Sequence, residues 1–255
     1  MTLARIIRLQ PTDFARVGSV LRSPGYHSWP GGTFQFYTTE EHRLLYRRRL
    51  NTETTMSEQS QTTVSIVGGG PAGLSAALFI QKNGLETRVF DTDGTWMHKA
   101  HLFNYLGVGS QDGSAFMETA RNQVDSFGVD RHQGEAVESI VETDDGFVVE
   151  TADGSYDSDY VVLATGANRD IAEDLGCAFD DDDTVDVDLS MQTSIENVYA
   201  TGAMVRAEEW QAVISSGDGA AAALNILSDV KGEHYHDFDV PADADAVFGG
   251  MSDEA

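Results

Sequence analysis

The chain's apolar positions change period at a glycine run, and the reading of everything downstream starts there. Val64, Ile66 and Val67 form a short apolar run that ends at Gly68-Gly69-Gly70, as a buried strand would. Leu74, Ala76, Ala77, Leu78 and Ile80 then recur at helical spacing until Gly84 closes the helix. Glu86-Thr87-Arg88-Val89-Phe90-Asp91 reads as a second strand. From about Ser114 to Phe127 an amphipathic helix presents Phe116, Ala120, Val124 and Phe127 on one face, with Gly128 as its stop. Val137 to Val141, Gly146 to Thr151 and Tyr156 to Ala164 follow as strands, with Asp144-Asp145-Gly146 and Asp153-Gly154 supplying turns. A last strand, Asn197 to Ala200, precedes a small-residue helix from Ala220 to Val230, whose N-terminus near Ser215 to Gly219 could face a ligand. Residues 94 to 107 keep no sustained period and read as a loop with a helical turn. The class is α/β: a Rossmann-like parallel sheet with helices on one face and a β-meander on the other.

The turn between the first strand and helix fits G-x-G-x-x-G at Gly68, Gly70 and Gly73. In such a turn the first glycine makes the bend, the second admits a pyrophosphate, and the third lets helix and strand pack closely. Asp91 ends the second strand 18 residues beyond Gly73, where a ribose hydroxyl needs an acceptor. These spacings point to a dinucleotide site; a glycine turn used only for packing is the rival. His98, Lys99 and His101 in the following loop could touch phosphate or move a proton, although surface or hydrogen-bonding roles are commoner for such residues. The run Asp180 to Asp183 reads as a solvated turn and not a metal loop, because consecutive acids do not converge on one ion unaided.

Charge changes the picture of the surface. The 255 residues carry a net charge of −26, yet residues 1 to 55 hold eight arginines against four acids. That leaves eight bases against 38 acids downstream. Such an excess excludes a general nucleic-acid surface and resembles cytoplasmic proteins adapted to concentrated salt, whose acidic surfaces stay hydrated. Residues 1 to 56 read as a basic leader without a core of its own, and Met56-Ser57-Glu58-Gln59 as the start of the folded chain, which would make the leader a gene-model extension. Residues 63 to 230 form one domain and 231 to 255 a polar, acidic tail. No run of 18 apolar residues offers a membrane span. The one cysteine, Cys177, excludes a C-x-x-C pair and an internal disulfide.

With these pieces placed, Thr63 to Val230 resembles the FAD-binding domain of the thioredoxin reductase-like flavoprotein family. Gly68-Gly69-Gly70-Pro71-Ala72-Gly73-Leu74-Ser75-Ala76-Ala77 looks like its pyrophosphate loop, with Asp91 where a Glu usually holds the adenosine ribose. Asn104-Tyr105-Leu106-Gly107 looks like the Asn-aromatic-Pro-Gly loop beside the flavin, with Leu106 for Pro. Ala164-Thr165-Gly166-Ala167 matches the segment that ends the first half of the domain, Thr193 to Gly202 is similar to Thr-Ser-x-x-x-Val-aromatic-Ala-x-Gly, and Gln211-Ala212 to the Gln-Ala that touches the isoalloxazine.

The departures bear on chemistry. The family's NADPH domain and dithiol belong between Ala167 and Thr193, where this chain has 25 residues. The family's Gly-Asp, whose carboxylate holds the ribityl chain, is Gly202-Ala203, and the Arg before Gln-Ala is Trp210. Losing that bond would cost about 1.5 to 3 kcal/mol of FAD affinity. The resemblance implies an FAD-dependent oxidoreductase that works with an external donor or acceptor, with no dithiol step of its own and no catalytic residue identified. It allows a homodimer, and NAD(P) is the alternative cofactor. The rivals are a non-catalytic flavin- or nucleotide-binding sensor module and an NAD-dependent dehydrogenase, the last disfavoured by the lack of a separate substrate domain.

The charge predicts salt dependence. As KCl is withdrawn the Debye length grows from roughly 3 Å at 1 M to about 10 Å at 0.1 M, so the acidic domain loses helical circular dichroism through self-repulsion. A spectrum unchanged in dilute buffer contradicts this.

Overall fold

The computed structural model describes residues 61–239. The basic leader and the Met56 boundary lie outside the described residues, as does the tail beyond Asp239. A parallel sheet is built from β1 (Thr63–Val67), β2 (Glu86–Asp91), β5 (Asp130–Gln133), β9 (Tyr160–Leu163) and β10 (Val198–Ala200), in the spatial order β10-β9-β1-β2-β5. Helices α1 (Pro71–Lys82), α2 (Gly113–Phe127) and α4 (Ala212–Lys231) cover one face. The antiparallel meander β6 (Val137–Thr143), β7 (Gly146–Thr151) and β8 (Ser155–Ser158), with the short α3 (Asp170–Leu175), covers the other. Two short strands, β3 (His101–Leu102) and β4 (Gln111–Asp112), pair in the loop region before α2.

Strand periodicity divides the core in two. Val64, Ile66, Val89, Tyr160, Val162 and Tyr199 face the helices, while Val67, Phe90, Val161, Leu163, Val198 and Ala200 face the meander. β9 (YVVL) and β10 (VYA) are buried throughout and are continuous apolar runs, as strands covered on both faces are. α1 and α4 approach so closely that a Cβ on Gly219 would stand 2.1 Å from the carbonyl oxygen of Ala72.

Three of the differences from the sequence reading bear on the parallel sheet and the helices packed on it. The expected strand Tyr156 to Ala164 is two strands hinged at Asp159: β8 pairs antiparallel with β7, and β9 runs parallel between β1 and β10. Asp159 fixes the hinge, its Oδ2 accepting from Thr63 N at 2.7 Å and Thr63 Oγ1 at 3.0 Å. The period of two continues unbroken from Tyr156 through Tyr160, which hides the hinge. α4 begins at Ala212, well before the expected Ala220. Ser215-Ser216-Gly217-Asp218-Gly219 has weak helix propensity, but its burial against α1 and the Arg206–Asp218 pair (Nη2–Oδ1 2.7 Å, Nε–Oδ2 3.2 Å) outweigh that. β5 has no counterpart in the reading, because this edge strand is the polar segment Asp130-Arg131-His132-Gln133.

The described part of the tail lies against the domain. Tyr235 packs on the helix-face core, and Lys82 Nζ holds Asp237 at 2.8 and 2.9 Å.

Adjacent helical glycines give a paired prediction. Gly219→Ala forces α4 off α1 and destabilises by about 1 to 3 kcal/mol. Gly217→Ala meets nothing within 4 Å and stabilises by up to about 1 kcal/mol. Thermal melts in high salt check the opposite signs; equal midpoints for the two variants overturn the packing account.

Candidate cofactor-binding cleft

A cleft of about 950 Å³ opens at the carboxyl ends of β1, β2, β9 and β10. The chain runs from β1 outward to β2 and β5, then returns to β9 on the opposite side, so the cleft sits at the sheet's switch point, where open α/β sheets take ligands. Its lining comes from the turn Gly68–Ala72, the acid Asp91, Thr95 to Met97, Glu135 to Glu138, Ala164 to Asn168, Thr201 to Ala203, and Trp210, Ala212 and Ser215.

Each glycine of the turn does something different. Gly68, at φ +116°, lies against the end of β9; a Cβ there would be 2.2 Å from the Ala164 carbonyl oxygen. On Gly73 it would be 1.9 Å from the Gly68 carbonyl oxygen, so this residue closes the turn and stays outside the lining. A Cβ on Gly69 would collide with the Asp91 carboxyl carbon at 2.2 Å, a constraint the motif does not state. Gly70 is the open one, with only Thr95 Oγ1 at 3.7 Å. The space beside it is room for a diphosphate.

Electrostatics agree with that room. The lining contains the carboxylates of Asp91, Glu135, Glu138, Asp170 and Asp174 and, among the described residues, no lysine or arginine. An anion here must be held by backbone N–H groups and helix ends. No side chain caps α1 at Gly70 or α4 at Gln211, and both N-termini reach the cleft. By contrast α2, which is not part of the lining, is capped by Asp112 Oδ1 accepting from the N–H groups of Ser114 (2.9 Å) and Ala115 (3.2 Å).

Asp91 is buried, and its Oδ1 accepts from Asp93 N at 2.7 Å. Pro71, Ala72, Thr165, Gly166, Gly202, Ala203 and Ala212 join it in the lining. Asn104 and Gln211 do not: Asn104 Nδ2 donates to Gln211 Oε1 at 2.7 Å outside that lining, bonding the two loops to each other. Trp96 and Trp210 stack edge to face across the lining with centroids 5.3 Å apart. Of the loop histidines, His98 bonds Asp93 (Nε2–Oδ1 2.7 Å) and Ser114 (Nδ1–Oγ 2.8 Å), and His101 bonds Ser110 at 3.0 Å. The acidic run forms a turn in which Asp180 accepts from the N–H groups of Asp182 and Thr184. Among the described residues no cluster of His, Cys, Asp and Glu could hold a metal ion.

One feature of the lining escaped the sequence, and one that the sequence pointed to stands elsewhere in its helix. Glu135 enters the lining from the lead-in to the meander, its Oε1 accepting from Tyr156 OH at 3.1 Å and its Oε2 bonded to His132 Nδ1 at 2.7 Å. The hydroxyl of Thr151, with these partners, holds that carboxyl below the usual range. Ser215 lies beside Gly202, its hydroxyl 3.4 Å from where a Gly202 Cβ would be. The expected start of α4 placed this serine at the helix tip, whereas it stands in the first turn.

Comparison with known proteins points to the same cofactor. The model of the pyridine nucleotide-disulphide oxidoreductases matches residues 101–217, and that of an FAD binding domain matches 61–104. Residues 61–217 are thus similar to the FAD-binding part of the pyridine nucleotide-disulphide oxidoreductases, and the cofactor that both matches indicate is FAD. The dihydrolipoyl dehydrogenase of Haloferax volcanii is 28% identical over 174 residues, 64% of this chain and 34% of that protein. A 34.2 kDa protein in the rubredoxin operon of Clostridium pasteurianum is 30% identical over 115 residues, 44% of this chain and 37% of that protein. The chain spans about a third of the length of the first curated relatives it matches. Among solved structures, the thioredoxin reductase from Gloeobacter violaceus superposes with TM-score 0.63 at 20% identity, covering 71% of this chain and 100% of that one. That of T. acidophilum gives 0.62 at 18%, covering 68% and 100%. The expected fold is the observed one.

The family's FAD fits the residues present: an open diphosphate cradle at Gly70, two uncapped helix ends and a buried acid. The expected outcome separates cofactor loss from unfolding. Gly70→Val keeps the melting profile of the wild type, since the position is open, yet carries no flavin after reconstitution. Gly68→Ala, whose Cβ meets backbone, lowers the melting midpoint. Flavin retained by Gly70→Val at the wild-type ratio of flavin to protein absorbance contradicts this placement.

Proposed function

We propose that this domain is a thioredoxin reductase-like, FAD-dependent oxidoreductase that takes electrons from an external donor and passes them to a separate acceptor, with no dithiol step of its own. Bound FAD supplies the capacity to accept and release an electron pair. The carrying observation is the cleft itself, with one diphosphate cradle and no thiol in its lining. Cys177 is buried in the meander-side core among Ala172 and Val185, and burial pushes its thiol above the ordinary range, which disfavours the thiolate that exchange requires.

We assign cofactor contact to Gly68, Gly70, Pro71, Ala72, Asp91, Thr165, Gly166, Gly202, Ala203 and Ala212, with Gly73 shaping the turn and Asn104–Gln211 bracing the neighbouring loops. The N-terminus of α4 favours negative charge nearby. Trp96 and Trp210 shield the cleft from water. The 25 residues between Ala167 and Thr193 hold α3 and an isolated bridge between Phe179 and Val185, a length that supports electrons arriving from outside this domain. The partner is a redox protein or a small redox substrate. No helix among the described residues is long and apolar enough to cross a membrane. The acidic surface, and relatives in Haloferax volcanii and Halobacterium salinarum, support a salt-adapted protein of the cytoplasm.

One observation favours a second reading. Ala203 leaves the lining without the carboxylate that the resemblance places there, which suits a module that holds flavin without turning it over.

The test is NADPH-driven reduction of a disulfide together with flavin content in wild type and Cys177→Ser. Both proteins hold equal flavin that dithionite bleaches, and neither reduces the disulfide. Turnover in the wild type that disappears in Cys177→Ser overturns the proposal, and bound flavin that resists dithionite supports the non-catalytic reading.

A further inference from the structure

Asp91 is wedged between two groups. On one side is Gly69, where no Cβ fits beside the carboxylate. On the other is Arg121 of α2, whose Nη2 donates to Asp91 Oδ2 at 2.9 Å and also to Asp93 Oδ1. The side chains of Asp91 and Arg121 are 4% and 15% exposed. Asp93 stands at φ 60°, a backbone state rare for a residue with a side chain, and His98 bonds its Oδ1 as well. Arg121 is the one guanidinium bonded to a carboxylate of the cleft lining among the described residues. Its Nε is buried without a hydrogen-bond partner.

We propose that Arg121 is a positioning residue for the adenosine end of FAD, acting through Asp91; this rests on the assignment of Asp91 as the ribose acceptor. A carboxylate offers about four acceptor sites. Asp93 N–H takes one on Oδ1 and Arg121 takes one on Oδ2, so both oxygens keep acceptor capacity for ribose hydroxyls while the plane of the group is fixed. Arg121 also compensates a buried negative charge in a cleft whose lining has no lysine or arginine among the described residues. An ion pair kept only for stability is often replaceable by apolar side chains at little cost, and this one leaves a buried donor unpaired besides. Its orientation of the cleft acid is what an apolar pair would not reproduce. α2, whose own N-terminus is capped away from the cleft, thus contributes to the site through a single side chain.

The experiment titrates FAD into the flavin-free full-length protein in molar KCl, following flavin fluorescence. Wild type, Arg121→Met, Arg121→Lys, Asp91→Asn and the Asp91→Asn/Arg121→Met double variant are compared, with thermal melts alongside. Arg121→Met raises the FAD dissociation constant about tenfold, the scale of one charge-assisted hydrogen bond. In the Asp91→Asn background the same change alters it by less than about twofold, because an effect carried by one partner disappears with it. Arg121→Lys, with a point charge in place of a fork, falls between, and it carries the comparison should Arg121→Met fail to fold. An equal loss in both backgrounds shows an effect through the fold and overturns the proposal, as does wild-type affinity in Arg121→Met and Arg121→Lys. A wild type that takes up no FAD removes the cofactor site itself, and this inference with it.

Discussion

The close approach of backbone to backbone at the β1–α1 turn is the constraint on which the rest depends. Gly68 lies against the Ala164 carbonyl, Gly73 against Gly68, and Gly219 of α4 against Ala72, each nearer than any Cβ permits. These three contacts bring the ends of β1 and β9, the start of α1 and the first half of α4 to one point. Side chains are excluded there, so the polar groups that converge are main-chain N–H groups and helix ends. That is the material from which a diphosphate site is made, and here it forms by the same packing that holds the sheet to its helices.

Acidity gives this arrangement a particular weight. In a domain with few basic residues a dinucleotide cannot be drawn in by lysines and arginines, and five carboxylates line the cleft itself. Peptide dipoles, which do not depend on surface charge, are what the lining offers an anion instead. Three of the few arginines are held in ion pairs near the cleft: Arg206 with Asp218 of α4, Arg131 with Asp125, and Arg121 with Asp91 and Asp93. Each pair fixes a segment that borders the cleft or supports one that does, so the scarce basic residues serve position more than affinity. Molar salt screens what repulsion remains.

The meander has a part in the site as well as in the core. Phe90, His132 and Tyr156 form an aromatic cluster, with centroids from 4.9 to 5.1 Å apart, under the carboxylate of Glu135. This ties the end of β2 to β5 and β8 and sets the wall through which residues 135 to 138 enter the cleft. Asp159, at the hinge between the two sheets, ties the same meander to the first residue of β1.

The sequence by itself determined the glycine turn, the strand and helix it joins, the acid at the end of β2 and the alternation of faces, because these are written in local period and spacing. It also showed Ala203 and the single Cys177, which are matters of identity alone. Only the tertiary structure decided where the strand Tyr156 to Ala164 breaks, since its period of two runs through the hinge and only Thr63 reveals it. The start of α4 was equally out of reach: Ser215 to Gly219 are poor helix formers that become helical by burial against Ala72 and by the pairing of Asp218 with Arg206. β5 is a strand because β2 offers an edge, and its polar residues carry no period to announce it. The need for glycine at position 69, and the partnership of Asp91 with an arginine 30 residues away, arise from groups distant in the chain meeting in space, which no local pattern records.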